Sequence, residues 1–332
     1  MLDEEPAKMM EDALKSLAPI IALTMLAATS AGAQQNNAPP PQSAEEQAAM
    51  AQAFARFNAL PDTAGTGPFP AIKEVARNLP KNTVYRPANL AKVQPESLGI
   101  LGWGNGGCSP DGASQRLHLA EIASHGYVVV AAGPILSGPG VSSRPQGEQG
   151  ERTTAQDVMN GIEWALAENR REGSPLYGLI DPAKVAVSGF SCGGVQAISL
   201  AHDPRIKAVV LHNTGLFPAG APMMAGMTSD KAWLKKLHTP VLYIQGGKTD
   251  IAYENGMDDF KRIEHVPAAI LNQETGHGGN FMDENGGAAA KAAVNWLEWQ
   301  LRGNAEAGRM FSGPNCGYCT DSHWSYERKK LD

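Results

Sequence analysis

From about residue 65 onward, short apolar runs alternate with longer stretches of helical composition. Leu98 to Leu101, Tyr127 to Ala132, Lys184 to Ser188, Ala208 to His212, Val241 to Gln245 and Ala268 to Leu271 carry apolar residues without polar alternation. Continuous apolar runs of that length predict strands buried on both faces. Asn82 to Pro87 reads as an opening edge strand closed by proline. Between the runs, a helix is predicted over 115–124 with Leu117, Leu119 and Ile122 on its buried side. A second is capped by Thr154 and runs to Asn169, a third covers 195–202, and a last spans 288–301 with Val294, Leu297 and Leu301 at helical spacing. Strand and helix alternating in this way imply an α/β fold, a mainly parallel central sheet covered by helices on both faces. No internal repeat is present.

The first part of the chain reads differently. Leu17 to Ala28 is an apolar segment preceded by Lys8 and Lys15 and followed by Ala31-Gly32-Ala33, the pattern of a signal peptide over 1–33 with the mature chain starting near Gln34. The acidic Asp3-Glu4-Glu5 is foreign to such a segment and points to Met9 or Met10 as the initiator. The apolar stretch is too short for a membrane span. Residues 34–64 form a linker, polar and of low complexity through Ala53. The folded domain is expected over 65–303, and residues 304–332 as a tail.

Within the domain the pattern breaks sharply at Gly189-Phe190-Ser191-Cys192-Gly193-Gly194, where a strand turns directly into a helix. This is G-x-S-x-G in the setting of a nucleophile elbow, whose tight backbone leaves no room for side chains at the flanking positions. A capping serine in an ordinary turn is the plainer alternative, and the remaining residues decide against it. A serine hydroxyl needs a base, and His277 lies in a glycine-flanked loop, Gly276-His277-Gly278-Gly279, between the last strand and the last helix. His118 and His202 fall in helices, His125 in a turn, His212 at a strand end and His323 in the tail. The base needs a carboxylate to hold its tautomer. Asp250 follows the Val241–Gln245 strand and its Gly246-Gly247 turn, at the sheet edge where catalytic groups gather. The rivals Glu254, Asp258 and Asp259 are expected on a solvated helical face. For the developing oxyanion, the backbone N–H of Cys192 and that of Asn105 are the expected donors, with Gly106 the alternative to Asn105. A phosphate cradle at Gly104-Asn105-Gly106 would need a P-loop or dinucleotide signature that the chain lacks.

Net charge is -6 over 332 residues, which argues against a nucleic-acid or anionic-membrane partner. The four cysteines, read with export, are expected as bridges. Cys316 and Cys319 would pair locally. Cys108 and Cys192 would tie the oxyanion loop to the elbow. Only His323 lies near enough to complete a zinc site with the first pair, so no metal is expected there.

Over Gly67 to Gly303 the chain resembles the secreted cutinase-like and polyethylene terephthalate hydrolase group of the α/β-hydrolase superfamily, and more broadly the dienelactone-hydrolase relatives. The likeness rests on Ile122-Ala123-Ser124-His125-Gly126-Tyr127, Ser174-Pro175-Leu176-Tyr177-Gly178, the elbow, Lys248-Thr249-Asp250-Ile251-Ala252 and Gly276-His277. It implies the α/β-hydrolase fold and cleavage of carboxylic esters through an acyl-enzyme on Ser191, with His277 and Asp250 completing the triad and no cofactor. Some relatives use a cysteine nucleophile; here Ser191 holds the elbow and Cys192 comes one residue later. Trp103-Gly104-Asn105 is similar to the group's oxyanion loop, which favours Asn105 as second donor, and Trp103, Gly106, Phe217 and Ile251 are the expected substrate-binding residues. Two features depart from the group: Asn213-Thr214-Gly215 stands where the polyester hydrolases carry a tryptophan, and Pro218 to Met227 is methionine-rich, with Met223, Met224 and Met227 able to line an acyl pocket or to fill their own loop. The expectation is therefore a secreted or periplasmic monomeric serine esterase acting on a small or polymeric ester. The alternatives are a feruloyl or acetyl esterase and a non-catalytic binding protein on the same fold. A serine peptidase would need a gating segment for which no length remains.

Overall fold

The computed structural model describes residues 52, 55–141, 150–218 and 229–331. The expected signal peptide, most of the linker and the methionine-rich segment lie outside the described residues.

The apolar runs form strands as their composition dictates. Among the described residues there is one nine-stranded sheet: β1 Ala71–Glu74, β2 Asn82–Pro87, β3 Leu98–Gly104, β4 Tyr127–Ala132, β5 Ile180–Phe190, β6 Ile206–His212, β7 Val241–Gln245, β8 Ala268–Asn272 and β9 Ser325–Lys329. Their spatial order is β1-β2-β4-β3-β5-β6-β7-β8-β9. The six strands from β4 to β8 pair in parallel, and β1, β2 and β9 are antiparallel additions at the two ends. Every residue of β3, β4, β7 and β8 is buried.

Side chains alternate between two cores, one on each face. Val128, Val130, Val185, Val187, Val209 and Leu211 join one cluster; Val129, Ala131, Ala186, Val210, Leu242 and Leu271 join the other. The helices α2 Ala155–Glu168 and α3 Cys192–Leu200 cover the first face with Val158, Ile162, Val195 and Ile198, and α4 Tyr253–Arg262 adds Phe260. The helices α1 Arg116–Ser124 and α5 Gly287–Arg302 cover the second with Leu119, Ile122, Trp296 and Leu297. Thr154 caps α2 as expected, in a reciprocal pair with Asp157. This is an α/β-hydrolase-like fold. The order in which successive strands are added reverses between β3 and β5, the place where an open parallel sheet leaves a crevice beyond its carboxyl ends.

Both ends of the domain extend further than the sequence suggests. Residues 304–331 are part of the fold, because β9 pairs along β8 from Ala268 to Asn272 and Phe311, Tyr318 and Leu331 are buried in the second core. The Lys329 ammonium donates to the carbonyls of Phe260, Lys261 and Ile263, closing the C-terminus of α4. At the other end, residues 55–64, expected as linker, dock on α1. Arg116 is fully buried there, donating to the Asp62 carboxylate and to the carbonyls of Phe57 and Leu60, with its guanidinium over the Phe57 ring. An arginine cannot be buried without such partners.

Candidate active site

The elbow is built from steric exclusion. Ser191 sits between β5 and α3 at φ +52° and ψ −118°, a conformation that costs a non-glycine residue about 1–3 kcal/mol. A Cβ on Gly189 would lie 2.2 Å from the Gly193 carbonyl oxygen, and one on Gly193 would lie 2.0 Å from Gly104. Both flanking glycines of the motif are therefore required by contact. Ser191 is locked from outside as well: its N–H donates to the His212 carbonyl (3.0 Å), and its carbonyl accepts from Thr214 Oγ1 (2.8 Å).

His277 and Asp250 reach the same point from the loops after β8 and β7. His277 Nε2 lies 3.0 Å from Ser191 Oγ, and His277 Nδ1 lies 2.6 Å from Asp250 Oδ1. An ionised carboxylate only accepts hydrogen bonds, so Nδ1 carries the proton and Nε2 is left to accept from the serine hydroxyl. The two loops are joined by backbone: the N–H groups of Thr275 and Gly276 both donate to the Gly246 carbonyl. Asp250 is buried with four donors around it. Oδ1 accepts from His277 and from the Ala252 N–H (2.9 Å), and Oδ2 from the Gly246 N–H (3.1 Å) and Asn213 Nδ2 (3.0 Å).

The expected oxyanion donors are brought together. Gly193 packs on the Gly104–Asn105 peptide, where the added Cβ would also approach the Asn105 nitrogen to 2.6 Å. The Asn105 side chain points away from the site, bracing its loop through Nδ2 to the carbonyls of Ser109 and Ala132. The disulfide Cys108–Cys192 joins this loop to the first residue of α3, and Cys316–Cys319 closes a local loop. Both pairings are those expected, and no cysteine is free. Gln196 steadies the junction, its Nε2 donating to the Thr153 carbonyl (2.6 Å) and to Cys108 Sγ (3.0 Å).

The expected substrate-binding residues separate. Trp103 is a correction: it is 0% exposed, on the α1 face of the sheet among His118, His212 and Phe281, and cannot touch substrate. Gly106 is partly exposed on the loop after β3, with the Phe190 ring against it. Phe190 in turn packs on the His277 ring, centroids 5.4 Å apart. Ile251 is 42% exposed beside Asp250, an apolar side chain at the rim. Phe217 is half-buried, its N–H held by Ser229 Oγ (2.8 Å) at the border of the undescribed segment 219–228.

Of the rival carboxylates, Glu254 is exposed but Asp259 is a second correction. It is fully buried, accepting from Lys231 Nζ (2.6 Å), the Leu216 N–H (2.7 Å) and the Tyr243 hydroxyl (3.3 Å). Burial pushes it up to about 6 against the pull of Lys231. It braces α4 and shares no hydrogen bond with the relay. The histidines set aside on sequence are also informative. His118 and His212 are buried edge-to-face, centroids 4.7 Å apart. Burial lowers His118 to about 3 and drives His212 well below the usual imidazole range, with His118 adding to the effect. His212 has neither ring nitrogen paired, and His118 has only a backbone contact with Gly286 too loose to count as a hydrogen bond.

A cavity of about 240 Å³ lies elsewhere, between Asp62, Lys73, Tyr85 and Arg116, and no relay residue lines it. Among the described residues no cluster of three or more metal-ligating side chains occurs, and no helix is long and apolar enough to cross a membrane. No known protein-family model matches the chain.

Proposed function

We propose that this protein is an exported serine hydrolase that cleaves carboxylic esters through an acyl-enzyme on Ser191, a cutinase-like or polyesterase-like esterase. The observation that carries the reading is the unbroken relay from the Ser191 hydroxyl through His277 to Asp250, with contacts of 3.0 and 2.6 Å. Ser191 Oγ attacks the acyl carbon as its proton passes to His277 Nε2, and Asp250 stabilises the imidazolium that forms. Negative charge gathers on the carbonyl oxygen and is met by the N–H groups of Cys192 and Asn105, with the positive end of the α3 dipole beneath. Collapse expels the alcohol, which takes the proton from Nε2. Water, deprotonated by the same imidazole, then releases the acid. Every step is an acyl or proton transfer, so the reaction as written calls on no cofactor.

Two disulfides are the mark of an oxidising, extracytoplasmic compartment, which fits export. The substrate is an ester, small or polymeric, and neither nucleic acid nor a membrane anchor enters the reading. Asn213, a buried amide, stands where the resembling polyester hydrolases carry a tryptophan, so this position supplies no aromatic clamp for a flat acyl group. Hydrolysis of a short p-nitrophenyl ester tests the proposal. Ser191→Ala is expected to lose at least about 10³-fold in kcat with its fold intact. Wild-type turnover in that variant refutes the assignment, and an inactive wild type that nevertheless binds esters favours a non-catalytic binding protein. Comparing acetylated xylan, feruloylated arabinoxylan and an amorphous polyester film then separates the substrate classes.

A further inference from the structure

We propose that Asn213 is a positioning residue that holds the acid and base loops in register through a single side-chain amide; the proposal rests on the esterase reading above. Asn213 is the first residue past β6 and stands at φ +44°, a region that non-glycine residues seldom occupy and asparagine tolerates best. Its backbone N–H donates to the Ile244 carbonyl (2.8 Å), adding one rung to the β6–β7 ladder. That anchor fixes where the side chain starts. The amide nitrogen then reaches two loops at once, donating to Asp250 Oδ2 at 3.0 Å and to the Gly276 carbonyl at 2.9 Å.

An amide nitrogen carries two hydrogens, and both are used here. One fixes the rotation of the carboxylate that faces His277. The other fixes the peptide immediately before His277. No other residue type of this size supplies two donors: a carboxyl has at most one and is charged when it has none, and an aliphatic side chain has none. Gly246 leaves the space for it, since a Cβ there would come within 2.6 Å of the same amide nitrogen. The neighbours act on the nucleophile, with the His212 carbonyl accepting from Ser191 N–H and Thr214 donating to the Ser191 carbonyl. The exit of β6 thus touches Ser191, Asp250 and the peptide that precedes His277, and Asn213 is the part that sets the last two against each other. The backbone strain at this position persists because the side chain is needed there.

Two variants of the full chain test this with a p-nitrophenyl ester. Asn213→Gly accepts the positive φ without strain and removes only the amide; kcat should fall by about 10- to 100-fold with KM changed by less than about twofold. Asn213→Asp keeps the shape but sets a second carboxyl against Asp250. The pair resists double ionisation and at low pH shares a proton that can stand in for the amide hydrogen. Activity in this variant should therefore decline as pH rises, turning a sigmoidal profile into a bell, which a loss of folded protein alone would not do. In Asn213→Gly the downfield proton resonance of His277 Nδ1–H should also move. Wild-type kcat and an unchanged profile shape in both variants overturn the proposal while leaving the esterase reading intact, provided Ser191→Ala is dead. Equal turnover by wild type and Ser191→Ala overturns both. Failure of both Asn213 variants to fold also overturns it, because the residue would then serve the scaffold.

Discussion

Replacing Cys108 and Cys192 together with alanine should destabilise the protein far more than replacing Cys316 and Cys319, and the difference can be worked from chain length. The first bridge closes a sequence separation of 84 residues and the second one of 3. In the chain-entropy picture, cross-linking restricts the unfolded ensemble by about 4–5 kcal/mol for a loop of the first size and about 2 kcal/mol for one of the second. Both cysteines of the long bridge are buried. Alanine removes the sulfur without adding a buried hydroxyl that would need a partner. Urea unfolding of wild type and the two double variants, each extrapolated to water with its own m, reads the two losses, and the long-bridge variant should also show the larger m. The long bridge also ties the Asn105 loop to the N–H of Cys192, so its loss should lower kcat on a p-nitrophenyl ester while leaving KM nearly unchanged. Equal destabilisation by the two pairs would refute the loop argument. A long-bridge variant with wild-type kcat would refute the idea that the bridge sets the spacing of the oxyanion donors.

Other expectations follow from particular residues. The buried pair His118 and His212 stays neutral in the fold, with His118 lowered to about 3, whereas each imidazole returns to about 6.5 on unfolding. A depressed pKa in the fold gives stability that is present above about pH 6.5 and is lost as pH falls, by about 1.4 kcal/mol per pH unit for each histidine; His118→Leu should halve this share of the slope between pH 6 and 4, and an unchanged slope in urea titrations at several pH values would count against it. Phe311→Ala should cost about 3–5 kcal/mol, because the ring is wholly buried between Trp296, Trp299 and Tyr318. A chain ending at Gly303 that melts like the full protein would contradict the place given to the C-terminal segment. Ser191→Gly should abolish hydrolysis and raise stability by about 1 kcal/mol, since glycine adopts φ +52° without strain; a lower melting temperature than wild type would argue against strain at the elbow.

What could be read from the sequence follows from what each element is made of. The strands β3 to β8 are visible because parallel strands buried on both faces must be apolar at every position. The edges are not: Ala71–Glu74 is short and mixed, and Ser325–Lys329 is largely charged, as edge strands that must resist further pairing tend to be. Strand parity, not nearness in sequence, decides where Trp103 lies. Two residues from Leu101 on a strand puts it on the same face as Leu101, under α1, whatever its nearness to the oxyanion loop. An acid on an amphipathic helix is usually solvated, and nothing local to Asp259 announces that Lys231, 28 residues away, is its partner. The burial of Arg116 is unannounced for the same reason, its partners lying 54 to 59 residues upstream.

The relay itself was legible because its members are set off by glycines, whereas the residue that joins two of them was not. Asn213 carries no glycine before it and no motif around it, only a polar side chain ending an apolar strand. Six non-glycine residues among those described stand at positive φ, and three of them, Cys108, Ser191 and Asn213, belong to the relay, its oxyanion loop or their support. Hydrophobic pattern specifies where the chain relaxes into strands and helices; it is silent about where the chain is held off its minima. The three at the site lie where the loops after β3, β5, β6, β7 and β8 converge. A side chain there keeps its unfavourable backbone only because contacts from several elements over-determine it. The strain at Ser191 aims a hydroxyl, that at Cys108 accompanies a bridge to the elbow, and that at Asn213 turns an amide under two loops. Each is a local cost that only the assembled edge of the sheet can offset, so chemistry and fold at this edge should fail together when the bridge is removed, and chemistry alone when only the amide or the hydroxyl is.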